Sequence, residues 1–401
     1  MEFTTQELPQ KGDTVVVGLS GGVDSTLTAL LLKERGCHVI GATMSLWDGT
    51  IPEIKTHKAL KEACYGPGEE ENIAECQKFC AQYGIEYHII DVKEAYNREV
   101  LQYFKAEYRA GRTPNPCIRC NRFIKFGALL EGIQKLSIDF DYFCTGHYAR
   151  VVRPSEGLWN TDVRPYMIAG AADVSKDQTY FLYRLPSDIL KKVRFPLAGI
   201  KKSEVFELAR KAGLDAAERA ESQNFVGEEY FDLLFADKES VPGDIIDLDG
   251  HVLGRHRGIE HYTIGQRRGL GVSASRPMYV HSIDAKNNVV VLAPNDSLNA
   301  SGLIANEFVW PGDVEPTEPF EAMVKIRLAS RPAKAMVQKA APEECDSSSN
   351  NISSDNNNMN GLAAWKVMFE TPQRAVAPGQ SVVLYNQEGV VIGGGIICKR
   401  L

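Results

Sequence analysis

The first half of the chain alternates apolar runs with segments whose apolar residues recur three or four positions apart. DTVVVGLS (Asp13 to Ser20) predicts a strand, and Asp24 to Arg35 a helix that stops at Gly36. CHVIGATMSLW predicts a second strand, Glu70 to Tyr83 a helix ending at Gly84, EYHIIDV a third strand and DFDYFCTGHY a fourth. That alternation predicts an α/β fold with a doubly wound parallel sheet, whose ligands bind beyond the carboxyl ends of the strands.

Beyond about residue 215 the pattern changes. GDIIDLDGHVLG, PMYVHSIDA and NVVVLAP are short β-like runs divided by Gly, Asn and Asp turns. Three units are therefore expected: an α/β domain over 1–214, a small basic central domain over 215–276 containing HRGIEHYTIGQRRGLG, and a C-terminal β-barrel-like domain over 277–401. The last is interrupted at 343–361 by EECDSSSNNISSDNNNMNG, a polar low-complexity loop between two strands.

Length and composition agree with this division. At 401 residues the chain exceeds one ordinary domain, and 44% hydrophobic with 24% charged residues fits a globular protein. No run of 18 apolar residues marks a membrane span, and MEFTTQELPQKGD lacks the basic and apolar regions of a signal peptide, so a cytoplasmic location is expected. Nine cysteines, an odd number spread through a long chain, predict reduced thiols rather than a disulfide framework. The net charge of −7 argues against nucleic acid only on average. Lys105 to Lys125 holds six Lys/Arg against Glu107 alone, and Lys325 to Lys339 holds five bases and no acid. Local fields of that kind can hold a polyanion.

Two segments carry chemistry. VGLSGGVDST joins the first strand to the first helix. Ser20, Gly21 and Gly22 allow a tight turn with inward N–H groups, and the helix adds its N-terminal dipole, so Gly18, Leu19, Ser20, Gly21, Gly22, Val23, Asp24 and Ser25 form a candidate phosphate cradle. No Lys follows at the P-loop spacing. The turn resembles the SGGxDS loop of the ATP pyrophosphatases, which transfer AMP to a substrate oxygen. The resemblance implies ATP here, with Asp24 helping to hold its Mg2+; Met44, after the second strand, could cover the adenine or simply fill the core.

The second segment is GRTPNPCIRCNRFIKFG, Gly111 to Gly127, with Cys117 and Cys120 at CxxC spacing among bases. The thiol between Arg119 and Arg122, near a helix start, is expected to be acidified toward thiolate. CxxC alone serves zinc, redox pairs and clusters alike, and no second CxxC or His pair completes a zinc site.

Together with TGHYAR, SKDQTYFLYRL, HYTIGQRRGLG, PGQSVVLYN and GGGI, these segments resemble the tRNA-specific 2-thiouridylase family over nearly the whole chain. The resemblance implies ATP-dependent adenylation of the wobble uridine 2-carbonyl, then replacement of that oxygen by sulfur. It makes Cys120 the sulfur nucleophile or carrier, with Cys117 beside it. Asn115, Pro116 and Cys117 should face the target base, Gly146 should contact ATP, and His147, Lys176, Asp177, Gln178, Arg327, Leu328 and Gln380 should contact tRNA. Implied partners are tRNA and a sulfur donor: a cysteine desulfurase, a relay protein or free sulfide.

Two departures stand out. Cys117 replaces the family's usual Asp, and Leu328 stands where an aromatic is common. More important, the family's second cysteine, in a segment like DSTGICFIGE, has no counterpart in ESQNFVGEE, Glu221 to Glu229. The usual persulfide carrier is missing. Cys117 and Cys120 can act as an exchanging thiol pair or as ligands of an iron–sulfur cluster, with Cys64 or Cys144 as third thiolate. Cys37, Cys76, Cys80 and Cys398 read as core, and Cys345 lies in the polar loop. Rival readings are an amide-forming ATP pyrophosphatase, which needs neither CxxC nor a basic β domain, and a tRNA-binding protein that has lost catalysis.

Overall fold

The computed structural model describes residues 1–49, 64–218, 225, 226, 228–341, 344 and 363–401. The expected polar loop (except Glu344), Cys345 and most of ESQNFVGEE lie outside the described residues.

The N-terminal domain is built on five parallel strands in the order Glu86–Asp91, His38–Ser45, Thr14–Gly18, Tyr142–Cys144 and Val193–Arg194. Val15, Val16 and Val17 are fully buried because their strand is central and both faces are covered. From this strand the chain first builds outward on one side and then returns to build on the other. The Gly18–Ser25 turn therefore opens at the switch point, where the neighbouring loops diverge and leave a crevice. The helix Val23–Glu34 follows the turn directly, and Glu69–Tyr83 ends at the left-handed Gly84. Phe3–Thr5, Arg150–Pro154 and Met167–Ala169 form a small sheet beside this core.

The boundary expected at 277 is corrected by strand pairing. Tyr279–Asp284 pairs with Val289–Ala293, which runs parallel to Gly243–Ile246, and Val252–His256 completes the sheet. Val280, Val290 and Leu292 pack with Ile245, Ile259, Tyr262 and Leu270 in a core of their own. Both strands belong to the central domain. Their period-two alternation satisfies any half-buried sheet equally well, so it could not assign them.

A closed six-stranded barrel follows, in the order Asn299–Val309, Trp365–Arg374, Ala333–Lys339, Phe320–Lys325, Ser381–Tyr385 and Val391–Arg400, the last pairing back with the first. The N-terminal domain reaches into it through SKDQTYFLYRL. Tyr180 Oη donates to the Ser381 carbonyl at 2.9 Å, and the Tyr183 and Ser381 hydroxyls lie 3.0 Å apart. Among the described residues no helix is long and apolar enough to cross a membrane.

The GRTPNP loop lies where the three units meet. A Cβ on Gly111 would stand 2.9 Å from Ile283 of the central domain. Thr113 N donates to Pro378 O of the barrel at 2.8 Å, and Gln380 Nε2 returns a bond to Thr113 O at 2.9 Å. Gly379 has φ +91°, and a Cβ there would lie 2.8 Å from Thr113 N. Gly379→Ala should combine left-handed strain with a backbone clash and cost about 2–4 kcal/mol. A melting temperature equal to that of the parent protein would show that the barrel does not clamp this loop.

Candidate active site

At the phosphate turn the Thr14–Gly18 strand ends and the backbone is tied on both sides. Leu19 N donates to Ala42 O at 2.8 Å, and Thr43 Oγ1 donates to Leu19 O at 3.0 Å. Leu19 and Val23 bury their side chains in the core, so only their backbones are available to a ligand. Ser25 is buried and shapes the turn: its Oγ accepts from Ser20 N at 3.2 Å and donates to Gly22 O at 3.0 Å. Gly22 starts the 12-residue helix in an extended conformation, and no side chain caps that end. The helix dipole and its first N–H groups thus face the crevice, as an anion site requires.

Asp24 is held more firmly than the motif alone indicates. Its Oδ1 and Oδ2 accept from Lys202 Nζ at 2.7 and 2.8 Å, and Oδ1 also accepts from Tyr148 Oη at 2.8 Å. The Lys202 side chain is only 8% exposed, so its ammonium depends on this partner. Gly146 packs against the same point, where a Cβ would lie 2.7 Å from the Asp24 backbone. Gln178 clasps the loop by accepting from Tyr148 N at 2.9 Å and donating its own N–H to Tyr148 O at 3.0 Å. Asp177 accepts from Ala171 N and from the Thr179 backbone and hydroxyl. Both side chains therefore have scaffold bonds, while Lys176 is half-buried in the adjoining turn Val174–Lys176. Met44, also half-buried, packs on the main core at the end of its strand.

The thiol segment begins with a built cap. Asn115 Oδ1 accepts from Cys117 N at 3.1 Å and Ile118 N at 3.4 Å, and Pro116 occupies the first helical position. After Pro116–Arg119 the helix widens to i→i+5 bonding over Cys120–Ala128, then resumes as Leu129–Lys135. Cys117 and Cys120 are half-buried.

The expected acidification is overturned. Burial pushes the Cys117 thiol up to about 11 and the Cys120 thiol up to about 12. Arg119 does not serve them: its guanidinium donates to Glu99 O at 2.7 Å and to the Glu99 carboxylate at 3.1 Å, and lies 4.2 Å from the centre of the Tyr103 ring. The cation that acts on both thiols is Lys125, whose charge opposes the effect of burial. Lys125 also acts on His147, which burial and this neighbouring charge hold well below the usual imidazole range. His147 is therefore neutral near pH 7, with Nδ1 2.7 Å from Thr145 Oγ1. Lys125, Tyr148 and Lys202 are the participants that sequence reasoning missed. The only sign of Lys125 was its place in the basic run.

The remaining thiols sort clearly. Cys37, Cys76, Cys80 and Cys144 are buried, whereas Cys64 is exposed. Cys144 is wholly buried in its strand and its charge neighbours are Arg194 and Cys37, which removes it as a third ligand. In the barrel, Arg327 donates to Arg374 O at 3.1 Å, Leu328 is 40% exposed, and Gln380 bridges to Thr113.

The parallel sheet, the glycine-rich turn at its switch point and the appended barrel define an enzyme of the ATP-pyrophosphatase type. Family models agree: a tRNA methyl transferase HUP domain matches residues 13–227, a tRNA methyl transferase PRC-barrel domain residues 233–294, and an aminomethyltransferase beta-barrel domain residues 355–397. The tRNA-specific 2-thiouridylase MnmA of Endomicrobium trichonymphae is 41% identical over 385 residues, covering 96% of this chain and 98% of the relative. Its namesake from Carboxydothermus hydrogenoformans is 39% identical over 394 residues, with 96% and 98% covered. The chain belongs to the tRNA-specific 2-thiouridylase family.

The raised thiols have a measurable consequence. In reduced, metal-free protein, alkylation of Cys120 by iodoacetamide should rise about tenfold per pH unit from pH 7 to 10, because the thiolate is the nucleophile and stays a minor species throughout. Peptide mapping by mass spectrometry measures this directly. A plateau beginning below pH 8 would show an acidified thiol.

Proposed function

We infer that this protein is a tRNA uridine 2-sulfurtransferase that activates the wobble uridine with ATP and exchanges its 2-oxygen for sulfur. The observation that carries the reading is the common ground of the two motifs. Lys125 acts on both thiols and on His147, and His147 follows Gly146, which packs against Asp24 of the phosphate turn. The ring of Phe126, on the helix that carries Cys120, lies 5.9 Å from that of His147, which supports a base beside Cys120 meeting a nucleotide held at Gly18–Ser25.

In this reading the substrate is ATP with its Mg2+. Gly22 and the first N–H groups of the helix face the pyrophosphate from the tight turn that Ser20 and Gly21 make, and Asp24 gives the metal an oxygen. Three accepted hydrogen bonds leave that carboxylate about one of its roughly four lone-pair sites. Met44 borders the adenine and Gly146 leaves room for the nucleotide. The uridine 2-oxygen attacks the α-phosphorus, and pyrophosphate leaves. A hydrosulfide-level sulfur nucleophile then adds at C2, and the C2–O bond breaks to release AMP. Carbonyl oxygen is a poor leaving group and AMP a good one, which is why adenylation comes first.

The uridine must leave the anticodon stack to reach a pocket bounded by Asn115, Pro116 and Cys117. Lys176, Arg327 and Leu328 lie on the surfaces we assign to tRNA, with His147, Asp177, Gln178 and Gln380 behind them as contacts and supports. The neutral His147 offers a hydrogen bond rather than a phosphate counter-charge. With this substrate we assign the protein to the cytoplasm.

For sulfur we propose that Cys117 and Cys120 are ligands of an iron–sulfur cluster. The donor set fits: two half-buried thiols come from one helical turn, both under the field of Lys125. When bound, a cluster with three protein thiolates keeps one iron open to sulfide, a function that ESQNFVGEE cannot supply through cysteine. Sulfide would come from free sulfide or from a cysteine desulfurase or relay protein. The two-thiol exchange with a persulfide donor is the competing route.

Two measurements test the function. Asp24→Asn keeps the shape beside Lys202 and should cut tRNA-dependent pyrophosphate release by at least about a hundredfold while tRNA binding persists. A folded variant with normal turnover would remove Asp24 from the adenylation site. Separately, protein purified without oxygen should be brown and carry iron and sulfide, and Cys117→Ala should lose both. A colourless, iron-free protein that thiolates tRNA with a persulfide donor would leave only thiol exchange.

A further inference from the structure

The segment that should bring a third sulfur has none, yet another loop brings one beside it. We propose that Cys64 is the third thiolate of the sulfur site, binding the iron–sulfur cluster together with Cys117 and Cys120 in place of the family's second cysteine. The inference rests on the cluster reading above.

Three observations meet at this residue. The first is position. ESQNFVGEE aligns its Phe225-Val226-Gly227-Glu228 with the FIGE of the family's motif, which places Asn224 where the cysteine is expected. Tyr65 N donates to Phe225 O at 3.2 Å, so the Cys64–Tyr65 turn is bonded to the neighbour of that position. Cys64 thus stands beside a residue bonded to the segment in which the family carries its second cysteine.

The second is anchoring. Tyr65 is 1% exposed and packs in the main core. Its ring stacks on Tyr96 at 5.2 Å, meets Trp47 edge-on at 5.1 Å, and its hydroxyl donates to Asp48 at 3.0 Å. Cys64 is exposed, but the residue after it is among the most firmly held in the domain. That arrangement leaves a thiol open to a ligand while limiting where it can go.

The third is the company it keeps. The charges of Cys64, Cys117 and Cys120 all bear on Tyr96, and that of Cys64 bears on each of the other two thiols. Geometry points the same way: Tyr65, the residue after Cys64, stacks on Tyr96, and Cys120 packs against the core cluster that holds both rings. The thiolates of a polynuclear cluster bind different irons, so the three sulfurs need not touch. Cys144 and the Cys76/Cys80 pair are sealed in the second core of the domain and cannot compete. On binding, each of the three thiols gives up its proton as an iron–sulfur bond forms, with no change of oxidation state at the cysteines.

The test compares full-length parent protein, Cys64→Ser and Cys144→Ser, all purified without oxygen. The parent and Cys144→Ser should hold equal iron and acid-labile sulfide and the same electron paramagnetic resonance signal after dithionite reduction. Cys64→Ser should lose iron and sulfide by at least about fivefold, because two ligands from one turn do not retain a cluster that three hold. Cys64→Ser with parental metal content and spectrum would overturn the proposal. If the parent itself holds no iron, the cluster reading fails first, and a second measurement isolates the role of Cys64. A short bis-maleimide applied to the reduced protein should join Cys64 to Cys117 or Cys120 in the peptide map, and Cys64→Ser should abolish that peptide. Absence of the link in parent protein whose Cys117 or Cys120 the same reagent has modified singly would remove Cys64 from the sulfur site whatever the metal.

Discussion

A buried ammonium must have a partner, and in this protein that requirement organises the nucleotide end of the sheet. Lys202 lies almost out of reach of water and takes both oxygens of Asp24. An unpaired charge at such a site costs several kcal/mol, so the pair is a constraint on the fold as well as a contact. With Asp24 fixed, Tyr148 has a place for its hydroxyl, Gly146 can pass only as a glycine, and Gln178 closes the loop from behind. The loop after the Tyr142–Cys144 strand is thereby tied to the start of the helix that follows the neighbouring strand Thr14–Gly18. The glycine-rich turn supplies N–H groups, and the distant helix Lys202–Lys211 supplies the cation that holds Asp24 beside them.

The sulfur end follows a different logic. The loop ahead of Cys117 is gripped by the barrel through Thr113, Pro378 and Gln380 and approached by the central domain through Ile283. Domains that differ in fold thus converge on one short peptide, and the helix that carries both cysteines starts from it at a built cap. A CxxC on a mobile loop would present its thiols in many arrangements. Here their spacing is set before any ligand arrives, which lowers the ordering cost of binding. Burial keeps the thiols protonated in the absence of a ligand. Such thiols are poor nucleophiles, yet they become good ligands once a metal replaces the proton.

Much of this was legible in the chain. Unbroken apolar strands alternating with periodic helices marked the parallel sheet, because a strand covered on both faces has no polar side to show. The turn at Ser20 to Ser25 was legible because an anion site made of backbone leaves glycine and a helix start behind it. What failed was inference from adjacency. Arg119 is next to Cys120 in sequence, but the helix turns it toward Glu99 and Tyr103, whereas Lys125 bears on the thiols from further along the same helix. The same limit hid Lys202, which is far from Asp24 in sequence. The central domain was cut short because the strands at 279–284 and 289–293 alternate as barrel strands do, and only the parallel pairing with Gly243–Ile246 assigns them.

The distribution of thiols closes the physical case for how this chain departs from its relatives. A cysteine that serves only to fill space is best sealed, and Cys37, Cys76, Cys80 and Cys144 are sealed. Cys64 is the exception among the described cysteines in being exposed. Exposed thiols invite oxidation and contribute little packing, so an exposed cysteine anchored through a buried neighbour is difficult to account for as structure. Cys117 presents the same puzzle beside Cys120, since a small apolar residue would pack as well in a half-buried place. The two have one thing in common: the charges of Cys64 and Cys117 both bear on Cys120. Without a ligand the buried pair stays protonated and neutral beside Lys125, so a group that takes up these thiols as thiolates must itself bring the positive charge that burial otherwise withholds.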